Sequence, residues 1–241
     1  MPMKHNEIVE NLKFLKDAGV DVFMSNSPRI YYKENNPKDP RISTDQGAKD
    51  VNEISNLEEL KEEIYKFDKC DLKKTAKSTV IADGNPASKI MLIGEAPGAD
   101  EDRQGIPFVG RAGQLLNRML EAINLQRKDV YITNIVPWRP PENRQPTNEE
   151  IVLCLPFIQR HIELINPKIL VLLGGTAAKA LLFSDKGIMR LRGKWHDYSS
   201  YGLANPILTR AIFHPSFLLR SPGYKRTTWN DLQEIKKELD K

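Results

Sequence analysis

Glu95 directly follows an apolar run in LIGEAPG, Asn134 closes one in YITN, and His214 leaves another in AIFHPSF, while Phe108 lies between turn residues in IPFVG. Each has an ordinary explanation when taken alone. A loop glutamate is commonly solvated, a loop phenylalanine commonly plugs a core, and a single histidine is commonly structural. Together they supply a carboxylate, a flat aromatic face, an amide and an imidazole, which suits a planar, hydrogen-bonding heterocycle. The ring can stack on the face of such a molecule, and the amide offers its edge both a donor and an acceptor. The imidazole can donate to an oxygen that becomes negative as a bond to the heterocycle breaks. The chain carries a net charge of +4 with pI ≈ 8.9, which permits a polyanionic partner, so the expected heterocycle is a base taken out of a nucleic-acid stack.

These residues work together only if one framework brings them to one rim. KIMLIG, DVYITNIV, KILVLLGG and NPILTRAIF read as buried strands, and GQLLNRMLEAINL, the segment from Thr147 to Ile165, TAAKALLF and TTWNDLQEIKKELD read as helices. In GQLLNRMLEAINL, Leu115, Leu116, Met119, Leu120 and Ile123 share one face. Thr147 with Glu150 forms a capping box, and Pro156 is expected to bend the helix that follows. Strands apolar on both faces, alternating with helices, predict a parallel sheet covered on both sides. Ligands of such sheets bind beyond the carboxyl ends of the strands, which is where the four residues fall.

The 241-residue chain is long enough for one sizeable core, and 40% apolar with 28% charged residues fits a globular protein rather than a disordered one. No apolar run approaches bilayer length, and MPMKHNEIVENLKF lacks the apolar core of a signal peptide, so a cytoplasmic location is expected. Residues 1–65 are expected to form an N-terminal extension, with a short helix at Ile8–Ala18, a polar connector at Ser25–Asp50, and helical spacing from Ile54 to Phe67 capped by Ser55 and Glu58. Residues 66–241 would then be the catalytic domain. Cys70 and Cys154 lie far apart without a CxxC pair, and read alone they are buried reduced thiols.

GEAPGADEDRQGIPFVGRAGQLLNRML, VYITNIVPWRPPENRQPTNEE, RLRGKWHDY and HPSFLLRSPG resemble, in order and spacing, the family-4 uracil-DNA glycosylases, bacterial and thermophile enzymes that normally carry an iron–sulfur cluster. The resemblance covers about Cys70 to Asp240, and several separate motifs agree along that length. It implies a three-layer α/β/α fold with a mainly parallel four-stranded sheet. It also implies hydrolysis of the bond between uracil and deoxyribose in DNA, leaving free uracil and an abasic site as the first step of base-excision repair. The implied partner is uracil-containing DNA, single- or double-stranded, met by a monomer with no membrane involved.

Carried over by motif, Glu95 and the backbone at Ala96 lie beside uracil, Phe108 stacks on it, Asn134 reads its edge and His214 stabilises the departing anion. The best-known uracil glycosylases orient the attacking water with an aspartate. Ala96 stands at that position here, so Glu95 is expected to orient it, ahead of Glu101 or Asp102. Leu218, Leu219 and Arg220 resemble the loop that wedges into the duplex, although Phe217 or Leu218 can equally pack the last helix. Arg139, Arg144, Lys225 and Arg226 are candidate phosphate contacts. LGGT (Leu173–Thr176) offers a weaker one. His5, His161 and His196 are expected to be surface or structural residues.

The resemblance departs from its family at the metal. Four cysteines are implied, and here Phe67 and Trp138 stand at the first and third positions, with Cys70 and Cys154 at the second and fourth. Two thiolates cannot complete four-cysteine coordination, so no cluster and no other cofactor is expected. Phe67 and Trp138 are instead expected to fill the vacated volume together. Two other readings stand beside the glycosylase: a non-catalytic DNA- or damage-binding relative, and a glycosylase for another deaminated base. A covalent uracil-trapping relative fits less well, because PENRQPTNEE runs from loop to helix without the basic, histidine-bearing insertion associated with trapping.

Overall fold

Ile90–Gly94, Tyr131–Asn134 and Ile169–Leu173 are buried along their whole length. That burial explains why they read as continuous apolar runs rather than alternating ones. In the computed structural model, which describes residues 51–241, they are β2, β3 and β4 of a mixed sheet. The other strands are β1 (Ala82–Gly84), β5 (Trp195–Tyr198) and β6 (Ile207–Ile212). Among the described residues the strand order is β1-β3-β2-β4-β6-β5, with β3, β2, β4 and β6 mutually parallel and the two edge strands antiparallel. The parallel four-stranded centre matches the expected sheet. The edges were not anticipated, because strands this short, drawn from ADG and WHDY, carry too little periodicity to read.

Successive strand residues face opposite layers, so two cores form. Met91, Ile93, Tyr131, Leu170, Leu172 and Ala211 face one layer with α1 (Leu57–Lys66) and α5 (Asn148–Ile165). Ile90, Leu92, Ile132, Val171, Leu173 and Ile212 face the other layer, with α4 (Arg111–Glu121) and α9 (Lys225–Leu239). Short helices α2 (Leu72–Thr75), α3 (Ala99–Gln104), α6 (Gly175–Leu181), α7 (Ile188–Leu191) and α8 (Pro215–Arg220) complete the connections. No helix among the described residues is long and apolar enough to cross a membrane.

Helix ends follow local chemistry. Thr147 Oγ1 accepts the Glu150 N–H at 3.2 Å and Glu150 returns an oxygen to the Thr147 N–H at 2.8 Å, closing the expected capping box of α5. That helix continues across Pro156. The cap of α1 lies one residue beyond the expected Ser55: Asn56 Oδ1 accepts the Glu59 N–H at 2.9 Å, while Glu59 holds the Ser55 N–H at 3.1 Å. SNLEE permits both registers, and asparagine caps as well as serine. The expected boundary at residue 65 falls near the end of α1, whose Leu60 and Ile64 belong to the first core together with Ile54. The helix expected at Ile8–Ala18, the connector Ser25–Asp50 and His5 lie outside the described residues.

Candidate active site

The strand order reverses about β2: the chain passes to β3 on one side and then crosses to β4 on the other. A crevice at such a switch point is the usual ligand site of an open parallel sheet. Glu95 leaves β2 there, and Thr176, just beyond β4, donates its hydroxyl to Glu95 Oε2 across the gap. Asn134 ends β3 in register with Gly94 of β2. His214 follows β6, and Gly174 at the end of β4 packs against it, with φ +97° and a would-be Cβ 3.0 Å from His214 Cβ. Ala96 continues the Glu95 turn, half-buried at the margin of the first core.

Gly94 provides clearance, because a Cβ there would lie 2.4 Å from Asn134 Oδ1 and 2.5 Å from Phe108 Cζ. The amide and the ring are thereby packed against bare backbone. Asn134 is 4% exposed and its Oδ1 is buried without a hydrogen bond. An unmet buried acceptor costs about 1–3 kcal/mol, which makes this oxygen a candidate contact for a ligand donor.

Phe108 sits at φ +54°, in the left-handed region that a side chain with Cβ occupies at a cost of about 1–2 kcal/mol. Its loop is held from two sides. Glu101 accepts the N–H groups of Gly98 (3.1 Å), Val109 (2.9 Å) and Gly110 (2.8 Å). Arg127 donates to the Phe108 carbonyl at 2.9 Å and to that of Pro107, while pairing with Asp83. Gly113 of α4 lets the loop cross the helix, since a Cβ there would meet Phe108 O at 1.8 Å. The ring is held beside His214, with centroids 5.7 Å apart. Sequence reasoning missed Arg127, and no local motif marks it, because its partners lie 19, 20 and 44 residues away. Glu101 and Asp102, the alternatives to Glu95, are both engaged in backbone contacts. Asp102 Oδ1 accepts the N–H groups of Lys77 (2.8 Å) and Ser78 (3.1 Å) and is nearly inaccessible.

His214 caps the helix it precedes. Its Nδ1 accepts the Ser216 N–H at 3.1 Å and lies 2.7 Å from Ser216 Oγ. Nδ1 is therefore an acceptor, and in the neutral ring the proton resides on Nε2. Burial, reinforced by the positive charge of Arg220, pushes the imidazole down to about 4. At neutral pH the group presented to the crevice is an uncharged Nε2–H donor.

The candidate DNA contacts separate into accessible and inaccessible side chains. Leu218 is 1% exposed and packs into the second core, unlike the surface position expected of a wedge. The helical turn of α8 points it inward, and leaves Leu219 half-buried and Arg220 exposed at the rim. Arg139 is half-buried, bonded through Nε to Asn143 Oδ1 at 2.8 Å. Arg144 makes a two-pronged contact with Glu150 at 2.9 and 2.6 Å, which commits it to the α5 cap. Lys225 and Arg226 are exposed at the start of α9.

At the implied metal positions, Cys70 and Cys154 are fully buried free thiols. The neighbouring Cys154 thiol holds Cys70 down to about 7, while Cys70 and burial push Cys154 up. Phe67 and Trp138 stack at 6.2 Å and 14°, and Phe67 meets the Phe157 ring edge-on at 4.9 Å. His161 is no substitute ligand, because its Nε2 lies 2.6 Å from Tyr131 Oη in the core. Among the described residues no three His, Cys, Asp or Glu side chains gather as a metal site. This donor set does not fit an iron–sulfur cluster.

A family model for the uracil DNA glycosylase superfamily matches residues 81–233. Type-4 uracil-DNA glycosylases from Saccharolobus solfataricus (39% identity over 77% of this chain and 88% of the relative), Archaeoglobus fulgidus (40%, over 76% and 92%) and Thermotoga maritima (38%, over 77% and 95%) are similar along most of their length. With Glu95, Phe108, Asn134 and His214 gathered at the strand ends of an α/β sheet, the chain belongs to the uracil-DNA glycosylase superfamily.

Proposed function

We propose that this protein hydrolyses the N-glycosidic bond of uracil flipped out of DNA, releasing free uracil and leaving an abasic site, and that it does so without an iron–sulfur cluster. The observation that carries the reading is the unpartnered Asn134 Oδ1, buried beside Phe108 at the crevice. Uracil presents an N3–H that this oxygen can accept and an O4 that the Asn134 amide can meet as donor. Cytosine has no hydrogen on N3 and carries an amino group at C4, so both contacts would set like against like. Sites that read an edge by hydrogen bonds reject such mismatches strongly, because buried groups are left unpaired.

Phe108 supplies the stacking face, held in position beforehand by Arg127 and Glu101. As the bond from C1′ to N1 breaks, its electron pair passes to uracil and negative charge builds on O2. The neutral His214 Nε2–H donates to that oxygen. Glu95, with one oxygen held by Thr176, uses the other to orient a water toward C1′. The water forms the new C–O bond and passes a proton to the free Glu95 oxygen, and uracil leaves as the anion. Leu219 and Arg220 fill and neutralise the duplex position the nucleotide vacates, and Arg139 meets phosphate. The catalytic unit in this reading includes α1, since α1 shares the first core.

The test is uracil release from single- and double-stranded oligonucleotides, with His214→Ala as control. Loss of an oxyanion donor of this kind is expected to slow release about 10²–10³-fold. Equal, negligible release by both proteins would favour a non-catalytic damage binder. Preferential release of hypoxanthine in direct competition would reassign the base.

A further inference from the structure

Three separate chain segments meet where the cluster ligands are implied: the turn after α1 with Phe67 and Cys70, the loop after β3 with Trp138, and α5 with Cys154 and Phe157. Trp138 is among the largest fully buried side chains of the protein. Its indole N–H is met by Thr79 Oγ1 at 3.0 Å, so the ring brings no unsatisfied polar atom into the core. The Val80 N–H to Pro137 carbonyl bond at 2.8 Å pins the loop that carries it. Phe67 lies parallel to Trp138 on one side and edge-on to Phe157 on the other, and so joins the loop to α5. Phe157 is three residues beyond Cys154 on that helix, on the same face, so ring contacts and thiol pair occupy neighbouring space.

We infer that Phe67, Trp138 and Phe157 form an aromatic plug that ties these three segments together in place of a metal centre, and that the changes at 67 and 138 alone separate this chain from a working four-thiolate site. A cluster would cross-link the segments through iron–sulfur bonds, whereas the plug does so by excluding water from the same volume. The two mechanisms are mutually exclusive, because the rings stand where two thiolates would have to converge. Cys70 and Cys154 then persist as buried, reduced thiols with no ligand duty. The inference rests on the glycosylase reading only for the identity of the four positions. Its readouts are metal content and stability, so it fails independently of uracil release.

The full chain, purified without oxygen, is analysed for iron, acid-labile sulfide and visible absorbance, before and after reconstitution with ferrous iron and sulfide. The wild type is expected to hold neither, and Phe67→Cys combined with Trp138→Cys to take up both with thiolate-to-iron absorbance. Stoichiometric iron in the wild type, or a folded double variant that takes up none, overturns the proposal. Should that variant not fold, Cys70→Ala with Cys154→Ala decides the matter. Absence of bound iron and sulfide from both this variant and the wild type after reconstitution supports the plug, and iron bound by the wild type but lost in this variant means that the thiols hold a metal the proposal denies.

Discussion

Asn134 and Trp138 stand on one continuous strand-to-loop segment and are almost equally buried, at 4% and 1% exposure, yet their polar atoms are treated in opposite ways. The Asn134 carbonyl oxygen has no hydrogen bond, whereas the Trp138 indole N–H is met by Thr79. The same contrast runs through their surroundings. Around Asn134 the chain keeps costly features: a left-handed Phe108, a glycine that admits two side chains against backbone, and a histidine held neutral by burial. Around Trp138 it has apolar rings in contact and two buried free thiols. Strain and an unmet acceptor are thus concentrated at the proposed site. Where the implied ligand set has been lost, packing has taken over.

The sharpest way to break this comparison is Gly94→Ala. The new methyl must displace Asn134 and Phe108 together, and displacements near 1 Å at a reacting site cost about 10²-fold in rate. Uracil release should fall by at least that much while the far-UV spectrum stays native. An active variant would show that the Gly94 clearance is not needed for catalysis. Trp138→Ala should do the reverse. Removing a buried tryptophan costs about 3–5 kcal/mol, or roughly 10 °C in Tm for a chain of this size, with release below the new Tm changed only a few-fold.

A smaller effect should appear in the pH dependence of stability. Burial holds both His161 and His214 down to about 4, well below the unfolded value near 6.5. Between those limits the unfolded chain binds more protons than the folded one. Stability should therefore hold above pH 6.5 and fall as pH drops toward 4, by at most about 1.4 kcal/mol per pH unit for each imidazole. Urea midpoints at pH 7 and pH 5 would show it, and release at fixed stability should lack a titration near pH 6.5. The smallest expected effect belongs to Arg144→Ala. With its guanidinium committed to Glu150, the change should weaken DNA binding less than twofold in a salt titration, against a larger loss for Arg220→Ala.

Much of the fold was legible in the sequence. The central strands betrayed themselves as apolar runs, and the α5 cap as Thr147 with Glu150, because each signal is contained within a few consecutive residues. Edge strands of three or four residues gave no such signal, and the cap at Asn56 competed with an equivalent register at Ser55. At the site, types and spacing marked Glu95, Phe108, Asn134 and His214. They gave Leu218, Leu219 and Arg220 one shared role, although one turn of helix sends Leu218 into the core and Arg220 to the surface.

The sequence by itself determined the order of strands and helices, the chemical groups at the strand ends, and the absence of two of the four cysteines implied by resemblance. Those are properties of residue identity and short-range periodicity. Only the tertiary structure decided that Thr176 reaches Glu95, that Arg127 holds the Phe108 loop, that Gly94 gives clearance to Asn134 and Phe108, and that Phe67 lies against Trp138. Each of these depends on contacts between segments far apart in the chain, which appear only once the parallel crossovers have brought the strand ends together.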